Sequence, residues 1–119
     1  MQNAKVTDIK QRAFLFSVET IKFVEKLSKD KTVYIIADQL IRSATSIGAN
    51  IIEAQSASSR KDFANFYHFA LKSANETKYW LLLLVYTKKS SKQSAETLLD
   101  ELDQLCRILA KSILTLKGK

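Results

Sequence analysis

Gln39–Trp80 reads QLIRSATSIGANIIEAQSASSRKDFANFYHFALKSANETKYW, and the rest of the chain can be read outward from it. Two helical patterns flank a short serine-rich turn. Before the turn, Leu40, Ala44, Ile47, Ile51 and Ala54 recur at intervals of four and three, continuing from Val33 and Ala37. After it, Phe63, Phe66, Ala70, Ala74, Thr77, Leu81 and Leu84 do the same. That spacing lines apolar side chains along one face of a helix packed in a bundle. The turn is Gln55 to Ser59. Ser59 followed by Asp62 has the spacing of a capping box, with Asp in the place of Glu.

Upstream, a first helix is expected from Thr7 or Asp8, with Ile9, Ala13, Phe16, Thr20, Phe23 and Leu27 as its stripe. Phe14, Val18, Ile21 and Val24 widen that stripe, which predicts burial on more than one side. Lys29 to Lys31 mark a turn, and the second helix is expected to open at Thr32 or just after. Gly48, among Ala44 and Ala49, predicts a close approach of a neighbouring helix. Ile41 and Ile52 lie off the main stripe and suggest a second apolar surface, such as an oligomer needs. On the third helix, Tyr67, Phe69, Trp80 and Leu83 put bulk on other faces. A fourth helix is expected from Ser91 or Ser94, with acidic Glu96, Asp100, Glu101 and Asp103 suiting its dipole. Leu98, Leu102, Leu105, Leu109, Ser112 and Leu116 are its stripe, and Gly118 is its stop signal. Four helices of roughly 22 to 29 residues joined by short turns predict an all-α, antiparallel up-down-up-down four-helix bundle. Residues 1–119 make one domain.

Composition agrees. Proline is absent and glycine occurs twice, so few residues break a helix. The net charge is +7, from 19 basic and 12 acidic residues. Such an excess favours polyanions, and a solvated lysine-rich surface is an equal reading. Cys106 is the only cysteine, which excludes an intrachain disulfide and fits a reducing cytoplasm. The N-terminus leads into no apolar signal segment, and the longest apolar run, Trp80 to Tyr86, falls short of a membrane span. No membrane association is therefore expected.

No catalytic constellation, metal-ligand set or cofactor motif stands out. His68 is the only histidine, with Glu76 two turns away, and a hydrogen-bonded helical histidine is the commoner outcome. Arg60 and His68 stand too far apart for the Arg–His motif of HEPN-type helical ribonucleases. Cys106 on a leucine-rich helix reads as a small buried hydrophobe. Arg42, Ser46, Asn50 and Glu53 form one polar stripe on helix two. Asn65, His68, Lys72, Glu76 and Tyr79 form another on helix three. Ser46, Asn50, Glu53 and Glu76 are expected to be structural or interface residues. Arg42, Arg60, Lys61, Lys72, Lys88 and Lys89 are the candidates for contact with nucleic acid. In an antiparallel bundle the ends of helices one and three coincide. Lys22, Lys26, Lys29 and Lys31 would then meet Lys88, Lys89 and Lys92, and bind phosphate with little regard for sequence.

The run Gln39-Leu40-x-Arg42-Ser43-Ala44-x-Ser46-Ile47-x-x-Asn50-Ile51-x-Glu53 resembles a family of four-helix-bundle proteins encoded by intervening sequences in bacterial 23S ribosomal RNA genes. The accessory variability determinant of diversity-generating retroelements is in the same family. The likeness continues through Arg60, Phe63, Phe66, Ala70, Ser73 and Glu76. Ala54 departs from it, standing where the family has glycine, so that helix two either continues or turns on the serines. The resemblance implies a ring-shaped homopentamer with a basic surface, able to bind RNA or DNA, without enzymatic activity. It also implies the alternative of a protein–protein scaffold that recruits a partner such as a reverse transcriptase.

Overall fold

A computed structural model describes residues 8–118. Four helices follow one another: α1 (Ile9–Glu25), α2 (Lys31–Ala54), α3 (Arg60–Tyr86) and α4 (Lys92–Lys117). Each packs on its neighbour in sequence, and α1 closes the bundle against α4. The molecule measures 47 × 28 × 20 Å.

Each helix starts at a side chain that accepts a hydrogen bond from an otherwise unpaired backbone N–H. Asp8 caps α1 through Lys10 N–H; Thr7, the other candidate for that role, lies outside the described residues. Asp30 caps α2 through Val33 N–H at 2.8 Å, so α2 begins at Lys31 and Thr32 falls inside its first turn. Ser59 caps α3 by accepting from Asp62 N–H at 3.0 Å. The return bond of the capping box is displaced by one residue, because Asp62 accepts from Ser58 N–H at 3.2 Å. Ser91 caps α4.

α1 has 17 residues, shorter than expected. The chain must reverse before the Asp30 cap, so Lys26 to Lys29 are taken up by the connection. Leu27, outside the helix, still packs on the core. α2 ends at Ala54 with Gln55 in ordinary helical conformation, and Ser56 and Ala57 donate back to Glu53 and Ala54. The turn is thus built on the serine segment, without a left-handed residue. α3 ends differently. Lys88 sits at φ 62, and the N–H groups of Lys88 and Lys89 donate to the carbonyls of Val85 and Leu84. This is a Schellman ending, with lysine at the left-handed position that glycine usually fills.

The core is a continuous cluster drawn from all four helices. All seven stripe residues of α2 are buried. Ala13, Phe16 and Thr20 come from α1, and Ala70, Ala74, Thr77, Leu81 and Leu84 from α3. Three expectations are corrected. Tyr67, expected on another face, is buried, while Phe63 and Phe66 are half-buried. On α4 the stripe passes through Ile113 rather than Ser112. Phe14 and Ile21 do not enclose α1 on a second side; Phe14 is 65 % exposed. Ile52, Tyr34, Ile35, Phe69, Tyr79 and Tyr86 are exposed too.

Gly48 lies against α1, where an added Cβ would stand 3.5 Å from the Cβ of Ala13. The helices are close there, yet a methyl group fits in ordinary contact. At Gly118 an added Cβ would stand 2.8 Å from the Leu114 carbonyl oxygen, to which its own N–H donates at 2.7 Å. The glycine ends α4 by close approach, with φ −73.

Candidate functional site

The polar stripe of α2 divides into two roles. Ser43 and Ser46 meet α3, and Asn50 closes back on Ser46. Thr77 donates its hydroxyl toward Ser43 Oγ at 2.9 Å, and Ser73 donates to Ser46 Oγ at 3.0 Å. Asn50 Nδ2 donates to the Ser46 carbonyl and hydroxyl at 2.9 and 3.0 Å. A hydroxyl seam therefore joins α2 to α3, with its inner pair fully enclosed. Thr77 and Ser43 also reach carbonyls of their own helices, Ser73 at 2.7 Å and Leu40 at 3.2 Å, so the seam adds contacts between α2 and α3 while no buried hydroxyl is left unpaired. Arg42 and Glu53 are exposed on the outer side of α2. Arg42 meets Asp38, one turn earlier, at 3.2 Å. Glu76 is exposed and accepts from Trp80 Nε1 at 3.0 Å, so it does not serve His68.

Reading the sequence missed the strongest ion pair. Arg12 on α1 donates through Nε and Nη2 to both oxygens of Glu101 on α4, at 2.9 and 2.7 Å, and again to Gln104 at 2.9 Å. Both side chains are nearly enclosed, at 13 % and 10 % exposure. The hydrogen bond that Arg12 donates to Glu101 raises the guanidinium pKa further above its usual value, against the opposing effect of burial. Glu101, read from sequence as a dipole-stabilising acid, is a partner across the bundle. Nothing local in the sequence announces a contact 89 residues apart.

The six basic candidates do not form one surface. Arg60 and Lys61 open α3, whereas Lys88 and Lys89 follow its end, roughly 40 Å away along a helix of this length. Arg60 Nε donates to the Leu116 carbonyl at 3.1 Å and so ties the start of α3 to the end of α4. Lys72 and Lys61 are exposed on α3. At the opposite end, Lys89 Nζ meets Asp30 at 3.2 Å and binds the α3–α4 turn to the α1–α2 turn. Asp30 is held below its ordinary carboxylate pKa, first by the Val33 N–H and then by Lys89. The clasp brings Lys26, Lys29 and Lys31 to the same end as Lys88 and Lys92, all exposed. Lys22 and Lys26 also border an open groove of 430 Å³ beside Ser94 and Thr97, with Glu19 and Glu25 on the same wall.

Cys106 is half-buried, its Sγ 3.9 Å from Asn75 Oδ1. Burial pushes its thiol pKa up, which disfavours the reactive thiolate. Burial likewise raises the Tyr67 phenol. Among the described residues no group of His, Cys, Asp and Glu is arranged to hold a metal ion, and no helix is long and apolar enough to cross a membrane.

Residues 5–111 match the family described as 23S rRNA-intervening sequence protein. A solved structure, from Bacteroides thetaiotaomicron, is described as a protein of unknown function from the S23 ribosomal protein family. It shares 36 % identity with this chain and superposes with a TM-score of 0.84, covering 89 % of this chain and 98 % of its own. No curated protein matches. The seam-forming Ser43, Ser46 and Asn50 lie within the matched region, inside a bundle that the relative shares. The chain belongs to the 23S rRNA-intervening sequence protein family.

Proposed function

We propose that this protein is a non-enzymatic, oligomeric, basic bundle that binds nucleic acid through its phosphates. The observation that carries this reading is the Asp30–Lys89 clasp, which gathers the lysines of two turns at one end of the bundle. Several cations gathered at one end of the bundle can displace counterions from a phosphate backbone together. Binding of this kind positions a nucleic acid without reading its bases. The exposed Phe14, Tyr34 and Ile52 suit contact between copies, and the family resemblance implies five. Five copies would carry about +35, and multivalency would strengthen a weak patch. Cytoplasmic residence suits the unpaired thiol of Cys106.

The test is charge reversal at the clasped end. Lys26→Glu/Lys29→Glu/Lys92→Glu should lower RNA affinity at least tenfold, while Lys61→Glu/Lys72→Glu lowers it less. Unchanged affinity in the triple variant would contradict the reading. If the wild-type chain binds no RNA or DNA at low salt, the scaffold alternative is the better account, with the exposed Phe69 and half-buried Trp80 face as its contact surface.

A further inference from the structure

The two ends of the bundle differ in their chemistry. At the end opposite the clasp, an open groove of 570 Å³ runs between the start of α3 and the end of α4. Its floor is Ala64 and Leu116. Arg60, Lys61, Asn65, His68 and Lys117 surround that floor, and among the described residues no carboxylate lines it. The groove beside Lys22 and Lys26, by contrast, includes Glu19 and Glu25.

The donors are placed by helix geometry. Lys61, Asn65 and His68 are spaced four and three apart, so they share one face of α3. Arg60 is anchored at Nε by the Leu116 carbonyl, which holds its guanidinium on the wall and leaves the two terminal amino groups for a further acceptor. Asp62, the nearest acid in sequence, is turned away to Ser58. Ala64 contributes only a methyl group, which leaves room above it. The positive end of the α3 dipole meets the negative end of α4 here, so the two helix termini oppose one another and the side-chain cations set the potential. Arginine pairs with phosphate through two parallel hydrogen bonds, lysine adds a point charge, and histidine and asparagine add directional donors. The volume is that of a small-ligand pocket, and the apolar floor suits the body of an ester more than a bare ion.

We propose that this groove binds a phosphomonoester of nucleotide size, either free or as the 5′-phosphate end of a nucleic acid chain. The site is separate from the lysine end and does not depend on it.

The experiment is an NMR titration of the full chain with adenosine 5′-monophosphate, and separately with inorganic phosphate, in low salt. Saturable shifts at Lys61, Asn65 and His68, stronger for the nucleotide, are expected. Lys61→Glu/Asn65→Glu, both at exposed positions, should weaken nucleotide binding about tenfold or more while leaving the thermal unfolding midpoint close to wild type. A 5′-phosphorylated oligonucleotide compared with its 5′-hydroxyl counterpart separates the sources. A phosphate-dependent gain that this double variant abolishes assigns the polymer end. Nucleotide binding without that gain assigns the free ester. Absence of shifts in the groove up to low-millimolar nucleotide, or equal affinity in the double variant, would overturn the proposal. The variant reversed at Lys26, Lys29 and Lys92 should keep nucleotide binding intact, so loss of RNA binding there leaves this site standing.

Discussion

Single residues show how local chemistry constrains the molecule. Arg12 and Glu101 are nearly enclosed, so removing one leaves the other charge without its partner. Arg12→Ala should cost roughly 3 kcal/mol in urea unfolding. Arg12→Met/Glu101→Leu, which removes both charges and keeps the volume, should recover most of that loss. Lys88 is held at φ 62, where a side chain is disfavoured and glycine is not. Lys88→Gly should therefore raise stability by about 1 kcal/mol while lowering RNA affinity, which separates the two properties in a single variant. At Gly48 the space for a methyl group exists, and Gly48→Ala should stabilise the isolated chain by roughly 0.5–1 kcal/mol, measured by thermal melting. Asp30 has a depressed pKa in the folded chain. It therefore adds stability above the ordinary carboxylate value of 3.8 and loses that contribution as pH falls through its lower folded value. Asn at the same position keeps a cap and loses the ion pair. The advantage of wild type over Asp30→Asn should be full at neutral pH and shrink below about pH 3.8, read from unfolding curves across pH.

The helices themselves were largely legible in the sequence. Every residue of the α2 stripe is buried because alternating steps of four and three follow a helical face closely over two dozen residues. The pattern drifts elsewhere. A helix has 3.6 residues per turn, so a strict seven-residue repeat slips round it. On α4 the steps from Leu105 to Leu109 to Ile113 are both four, and Ser112 is carried to the edge of the core. The same drift at the start of α3 buries Ala64 and Tyr67 more deeply than Phe63 and Phe66. The start of α2 lies earlier than expected because Asp30, in the turn segment, is the residue that accepts from Val33 N–H and caps the helix. The polar stripe of α2 was visible, but its division was not. Whether Ser46 and Asn50 meet water or another helix depends on which face α3 covers. Thr77→Val should destabilise the chain by about 1 kcal/mol, since Ser43 loses a buried partner. Thr77→Val/Ser43→Ala should lie closer to wild type, and a double-mutant cycle measures the coupling.

At the scale of the whole molecule, connectivity gathers lysines from distant parts of the sequence at one end of the bundle. Up-down-up-down order brings alternate turns together, and the clasp between Lys89 and Asp30 fastens one such pair. Net charge was legible from composition, but its placement required the fold. Arg60 and Lys89 illustrate the difference, since both lie in basic segments and both also hold the chain together. The central claim is that the lysine end binds phosphates by charge, and its most direct test is the affinity of the purified protein for single-stranded RNA across a salt series, with oligomer mass measured in the same samples. The account predicts a linear fall of log affinity with log salt, with a slope of about −0.7 per phosphate engaged, little change between unrelated sequences, and a mass of several chains. A flat salt dependence, or no binding at low salt by the assembled protein, would contradict it.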